Sequence, residues 1–148
     1  MRPFRFTLES VRTLRERVER DAKEALARDL AEQTAHEQAL AQADQRLLAA
    51  IAAPRRLAPD AAAFVAVQEF LERRERERQT AAQLLAAKEQ DVADRRAELA
   101  HASREREALA RLERRQRQAH AAATARVSEA ELGEAALVAH RRLRGGAS

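Results

Sequence analysis

The chain has 148 residues and a formal net charge of +4, with 37 alanines, 35% charged residues and only 3% aromatic residues. Large apolar side chains are therefore too few to fill the core of an ordinary globular domain. The absence of cysteine excludes disulfides, thiolate catalysis and cysteine-ligated zinc. Alanine, arginine, glutamate and leucine are strong helix formers, so the composition predicts long helices or a coiled coil.

One strong interruption of the helical pattern lies at residues 53–60, which contain Pro54 and Pro59. Proline lacks a backbone donor and clashes with the preceding turn, so neither residue fits inside a helix. The sequence predicts a helix over about 7–52, a proline-bearing turn at 53–60 and a helix over about 61–144. Asp60 is suited to cap the second helix. We expect 1–148 to form a single coiled-coil domain.

Apolar residues recur at steps of three and four in both predicted helices, from Val11 to Ile51 and from Phe64 to Leu137. This period indicates an all-α fold, in which two long helices form an antiparallel coiled-coil hairpin with a longer, overhanging second helix. With the turn centred at 56–57, residue i is expected opposite about 113 minus i. Residues 107–144 would then overhang by roughly 57 Å.

Positive charge is concentrated at the two ends of the chain. Residues 1–20 and 135–148 each carry a net charge of +3, whereas residues 21–134 carry −2. The arginines near the end of the second helix complement the negative end of the helix dipole. The arginines of residues 1–20 lie near a helix N-terminus, where the dipole disfavours positive charge, so the dipole does not explain them. Antiparallel pairing places both basic ends in the same half of the molecule, which predicts a basic tip suited to an acidic socket on a partner. The candidate contact residues there are Arg2, Arg5, Arg12, Arg141, Arg142, Arg144, Leu137 and Val138.

A second candidate surface lies at the start of the second helix. Phe64, Val67 and Leu71 occupy seam positions that would pack on Leu47, Leu48 and Ile51, whereas Val65 and Phe70 are in excess. An exposed docking patch and simple packing at the tip both fit this pattern. The candidate docking residues are Phe64, Val65, Phe70 and Leu71.

The sequence contains no recognisable motif for catalysis, metal binding or phosphate binding. The last three histidines are about 20 residues apart, roughly 30 Å along one helix, so they cannot share a metal ion. No phosphate-binding loop or nucleophile elbow is present, so we expect no enzymatic activity and no cofactor. Nucleic-acid binding is disfavoured because acids are interspersed with the bases and stacking aromatics are scarce. No signal peptide or membrane span is evident, which favours the cytoplasm.

The segment Phe4 to Glu16, FRFTLESVRTLRE, followed by the alanine-rich run Glu19 to Ala31, resembles the opening of the flagellar FliJ family. The chain length and the break near one third of the chain fit that family as well. The resemblance implies a cytoplasmic stalk, similar in shape to the gamma subunit of rotary ATP synthases, at the inner face of the cell membrane.

That resemblance implies a set of partners. The terminal end would enter and stimulate a hexameric export ATPase, and a region nearer the turn would contact the export gate membrane protein. Phe64, Val65, Phe70 and Leu71 are candidates for that second contact by their position alone. Export chaperones would be further partners, and the free chain would be a monomer. Two alternatives remain open: the equivalent stalk of a virulence-type secretion system, and a homo-oligomeric structural coiled coil.

Overall fold

The computed structural model of the protein describes residues 3–54 and 60–146. Helix α1 spans Glu9–Ala52, with 44 residues, and helix α2 spans Ala61–Gly145, with 85 residues. No β-strand occurs among these described residues. The predicted all-α fold with a longer second helix is therefore confirmed.

The ends of the helices follow from local hydrogen bonding. Asp60 caps α2 as predicted, because its Oδ1 accepts a hydrogen bond from the backbone N–H of Ala62 at 3.1 Å. The α1 helix is preceded by non-helical residues 3–8, and the Glu9 N–H donates to the Phe6 carbonyl at 3.3 Å. At the other end, the Gly146 N–H donates to the carbonyl of Arg142. Most of the predicted turn, residues 55–59, lies outside the described residues.

The chain divides into two compact units. Unit 1 comprises Met1–Arg17 and Ser103–Ser148, and unit 2 comprises Val18–Ala102. Each unit therefore contains a stretch of α1 together with a stretch of α2. That the chain forms a single domain stays a prediction.

In unit 2, ion pairs show that α1 and α2 run antiparallel. Asp29 of α1 accepts a hydrogen bond from Nε of Arg95 at 3.0 Å, and its other oxygen lies 3.6 Å from Nζ of Lys88. One turn further along α1, Glu32 lies 2.5 Å from the same Lys88 nitrogen. The buried apolar side chains of this unit are small, which fits two closely spaced helices: Ala43, Val92 and Ala102.

In unit 1, the start of α1 and the residues before it pack against α2. Arg12 pairs with Glu113, Arg15 pairs with Glu105, and the order of these pairs is again antiparallel. Phe6 is buried although it precedes the helix. Apolar burial and charge pairs therefore both stabilise this unit.

The predicted register between the helices is wrong, and the numbers of the paired residues add to a total that is 4 to 12 higher than expected. The numbers of the paired residues add to between 117 and 124 in unit 2 and to between 120 and 125 in unit 1, rather than to 113. The expected value assumed that the middle of the proline segment is the midpoint of the pairing. The register is instead set by where complementary side chains meet along the helices, which the length of a connection does not fix.

This register shortens the overhang. Residues 3–8, which precede α1 and which we call the N-terminal segment, pair with α2 as far as at least His120, whose ring lies 5.6 Å from that of Phe4. The expected overhang of 107–144 therefore begins too early, because residues from 107 to at least 120 lie in the paired part of α2. The part of α2 that is exposed at every position runs only from 129 to 145, roughly 25 Å of helix.

Candidate partner-binding surfaces

Residues 129–146, at the C-terminal end of α2, form the most exposed part of unit 1. We call them the C-terminal segment. Every residue in it is exposed. Leu132 and Leu143 have 71% and 78% of their surface accessible, and Leu137 and Val138 are exposed as well. A helix that presents several large apolar side chains to water is typical of a surface that binds a partner.

The apolar residues of the C-terminal segment occupy two different faces. Leu132, Leu143 and the alanines at 136 and 139 lie within an arc of roughly 60° when successive residues are placed about 100° apart. We call these four residues the leucine stripe. Leu137 and Val138, which the sequence pattern selected, lie outside it. Leu132 and Leu143 were missed as contact residues, although the spacing of four, three and four along the stripe is visible in the sequence.

Charge changes sign along the C-terminal segment. Its first half carries Glu129, Glu131 and Glu134, and its last turns carry Arg141, Arg142 and Arg144. All three arginines are exposed, as expected from the sequence. Arginines at the end of a helix are stabilised by the negative end of the helix dipole, so this basic end is compatible with local helix stability.

Two of the N-terminal arginines form ion pairs between α1 and α2. Arg12 hydrogen-bonds to Glu113 with 2.7 Å between Nη1 and Oε2, and this bond raises the pKa of Arg12. Arg15 pairs with Glu105 in the same way. These bonds hold α1 to α2 and provide a structural reason for an arginine-rich start. Arg5 is exposed, and Arg2 lies outside the described residues.

The two basic clusters do not meet. The N-terminal segment lies beside the part of α2 near His120. Arg141 is 21 residues further along α2, which places it roughly 32 Å away. Both clusters lie in unit 1, as antiparallel pairing predicts, but they do not form one continuous basic surface. The C-terminal arginines form a basic site by themselves.

An aromatic cluster joins the N-terminal segment to α2. The Phe4 ring meets the His120 ring edge to face, and the guanidinium of Arg117 lies 5.5 Å from the Phe4 ring centre. None of these three residues was assigned a role from the sequence. Phe4 is separated from the other two by more than 110 positions, which leaves no local signal, and only the register brings them together.

The start of α2, in unit 2, presents the second predicted surface. Phe64 has 66% of its surface accessible, Val65 and Phe70 are exposed, and Leu71 is half-buried. Phe70 packs against its own helix, with the Arg74 guanidinium 5.1 Å from its ring centre. Of the two interpretations that the sequence left open for Phe64, packing into the seam is not observed, because the register carries the first turns of α2 past the end of α1. Two of its expected neighbours are exposed too: Leu48 and Ile51.

Within residues 3–54 and 60–146, neither helix contains a stretch apolar enough to cross a membrane. Over the same part of the chain, no three histidine, aspartate or glutamate side chains converge as a metal site would require.

Comparison with known proteins gave one match. The family model described as flagellar FliJ protein matches residues 4–145, which is nearly the whole chain. No curated protein and no solved structure matches the chain. The match extends well beyond the opening segment on which the resemblance in the sequence rests.

Proposed function

The chain belongs to the FliJ family of flagellar proteins, and on that premise we propose that it is a non-enzymatic stalk that binds and stimulates a hexameric export ATPase. As a family member it is a component of flagellar protein export. The stalk role adds a partner, a binding surface and an effect on that partner. We infer further that the stalk links the ATPase to the membrane export gate and to export chaperones.

The exposed C-terminal segment is the observation that carries this proposal. Its apolar side chains have no cover from α1, and its last turns carry three arginines. An acidic socket in a ring of subunits would bury the leucines and pair with the arginines. A helix that enters such a ring needs to be exposed on all sides, as this segment is.

The start of α2 supports the second part of the proposal. Phe64, Val65 and Phe70 are large apolar side chains in contact with water. Aromatic anchors of this kind commonly provide much of the energy of a protein interface. We assign them to the contact with the export gate, which would hold the chain at the inner face of the cell membrane while the remainder lies in the cytoplasm.

The test is stimulation of the cognate export ATPase by the purified chain. Removing 133–148, or combining Arg141→Glu, Arg142→Glu and Arg144→Glu, is expected to reduce ATPase binding by roughly tenfold or more. The matched control combines Arg28→Glu, Arg73→Glu and Arg96→Glu, which changes the net charge equally at exposed positions of unit 2. Equal loss in both triple variants would indicate a general charge effect and contradict the assigned surface.

A parallel test addresses the start of α2. Phe64→Ala with Phe70→Ala is expected to weaken binding to the gate protein and leave ATPase stimulation intact. If this variant loses ATPase stimulation and keeps binding to the gate protein, the start of α2 contacts the ATPase, and the assignment is contradicted.

A further inference from the structure

The leucine stripe of the C-terminal segment has the same pattern in both directions along the helix. Its residues are spaced by four, three and four positions, with a leucine at each end and alanines between. When an identical helix lies antiparallel to it, Leu132 falls opposite Leu143 of the second copy and Ala136 falls opposite Ala139 of the second copy. The two alanine layers allow close approach, and the two leucine layers close the ends.

We propose that the C-terminal segment binds the C-terminal segment of a second copy of this chain in this antiparallel arrangement. The occupant of the leucine stripe is thus the stripe itself, related by a twofold axis between residues 137 and 138. An interface of this kind uses one patch twice, so its complementarity must be present within a single chain.

The charges beside the leucine stripe supply that complementarity. Placed at about 100° per residue, Glu131 and Arg142 both lie on one flank of the stripe, about 90–110° from its centre. In the antiparallel arrangement, each flank faces the same flank of the other copy. Glu131 therefore lies within ion-pair reach of Arg142 of the second copy, and the twofold axis repeats the pair.

The opposite flank behaves in the same way. Glu129 and Arg144 lie on it, about 50° and about 110° from the centre of the stripe. They fall at similar heights when the helices are antiparallel, so the interface contains four ion pairs in total. In a parallel arrangement the flanks exchange, which brings Glu131 towards Glu129 and Arg142 towards Arg144. The charges therefore favour the antiparallel arrangement and oppose the parallel one.

Two charged residues of the same segment are excluded from this interface. Glu134 and Arg141 lie on the far side of the helix, about 170–190° from the centre of the stripe. They would remain in water in the pair. This difference provides an internal control, because the same kinds of charge reversal can be made on either side of one helix.

The association is expected to be weak. Two paired helices of about 17 residues with two alanine layers bury less than the roughly 1,200 Å² typical of stable complexes. We expect a dissociation constant of roughly 100 micromolar at low salt, so the chain is a monomer when dilute and pairs when concentrated. This agrees with the monomer expected from the sequence at low concentration. The inference does not depend on the proposed ATPase stalk, since it needs only the chain itself.

Sedimentation equilibrium of the full chain, from about 5 to about 500 micromolar, measures the association. One variant, Glu129→Arg with Glu131→Arg, makes the flanks basic, and another, Arg142→Glu with Arg144→Glu, makes them acidic. Each alone is expected to lose association by roughly tenfold or more, because four attractive pairs become repulsive. An equimolar mixture of the two variants is expected to regain it, and added salt is expected to weaken it.

The control variant reverses Glu134→Arg and Arg141→Glu on the far side, and its association is expected to match that of the unaltered chain. Orientation is tested with single cysteines, since the chain has none of its own. A mixture of Ala136→Cys and Ala139→Cys chains is expected to form the mixed disulfide in excess over both same-site disulfides. Circular dichroism of each variant checks that the helices are retained.

Three results would overturn the inference. The chain could remain a monomer at the highest concentration in low salt, the mixed charge variants could fail to associate, or same-site disulfides could predominate. Loss of association in the far-side control would equally assign the contact to another face. None of these readouts involves the export ATPase, so failure of the pairing and failure of the stalk proposal are separate results.

Discussion

Arg12 and Glu113 are 101 residues apart in sequence, and their side chains meet with 2.7 Å between Nη1 of the arginine and Oε2 of the glutamate. Glu113 also accepts a hydrogen bond from Arg117 at 2.9 Å, and Arg12 also pairs with Glu9. This group ties the start of α1 to α2 in unit 1.

Arg12→Ala and Glu113→Ala are therefore each expected to lower the free energy of unfolding, and the two effects are expected to be coupled. Each change removes the partner of a half-buried charge. A double-mutant cycle measured by urea denaturation gives the coupling. The control is the exposed pair Arg111 and Glu107, one turn apart on α2, which is expected to show much smaller coupling. Equal coupling in the two cycles would contradict a special role for Arg12.

Stability is expected to fall in acid because two carboxylates between the helices have lowered pKa values. The hydrogen bond from Arg95, together with the charge of Lys88, lowers the pKa of Asp29, and the hydrogen bond from Arg12 lowers that of Glu113. Their ordinary values are 3.8 and 4.5. The unfolded chain takes up protons first as pH falls, so stability is full above about pH 5 and is lost below these values.

Urea denaturation at several pH values between about 6 and about 2.5 measures this loss. Asp29→Asn is expected to lower stability at neutral pH and to flatten the acid dependence, since the titrating group is gone. Glu24→Gln removes an exposed carboxylate of the same helix and is expected to leave the profile unchanged. A steeper acid loss in the Asp29→Asn chain would contradict a lowered pKa for Asp29.

Val92→Ala is expected to reduce the free energy of unfolding by about 2 kcal/mol, since it removes two buried methyl groups from the packing of unit 2. Val92 is 3% exposed. The matched control is Val127→Ala on the same helix, where the valine is 56% exposed and the expected change is within about 0.5 kcal/mol. Urea denaturation compares the two variants. Similar losses would show that burial at Val92 contributes little.

Gly133→Ala is expected to stabilise the helical state of the C-terminal segment by about 1 kcal/mol, because glycine costs that much inside a helix. An added Cβ at Gly133 meets nothing within 4 Å. Hydrogen exchange of the amides around residue 133 measures the change. Gly145→Ala, at the last helical residue, is the control and is expected to have little effect. Faster exchange in the Gly133→Ala chain would contradict this prediction.

Much of the secondary structure could be predicted because it depends on local chemistry. The prolines at 54 and 59 mark the break, and Asp60 caps α2 through its own side chain. Helix α1 ends at Ala52, where the sequence pattern placed the end of the first helix, because these signals act within one turn of where they occur.

The register could not be predicted in the same way. Alanine-rich helices offer many nearly equal stripes, so the apolar pattern did not distinguish one alignment from another. The alignment depends on where charged pairs such as Asp29 with Lys88 and Arg12 with Glu113 meet. Those pairs join residues far apart in sequence, and interspersed acids and bases leave many combinations open.

The candidate surfaces also differ in whether they depend on local sequence or on the register. Arg141, Arg142 and Arg144 were identified from the sequence, because a basic run at the end of a helix is a local feature and the segment has no α1 beside it. Arg12 was a candidate for a partner surface, and its ion pair with Glu113 could not be predicted, since only the register brings Glu113 to it. The same register exposes Phe64, for which the sequence pattern fitted both packing in the seam and an exposed patch.

By itself, the sequence determined that the chain forms two long helices, where the break between them falls, and which end of α2 is basic, because each of these depends on neighbouring residues. The tertiary structure decided which residues of α1 face which residues of α2. It thereby decided how much of α2 remains exposed and which arginines are available to a partner. The physical reason is that a uniform, alanine-rich seam carries little alignment information, so a few ion pairs between distant residues set the register.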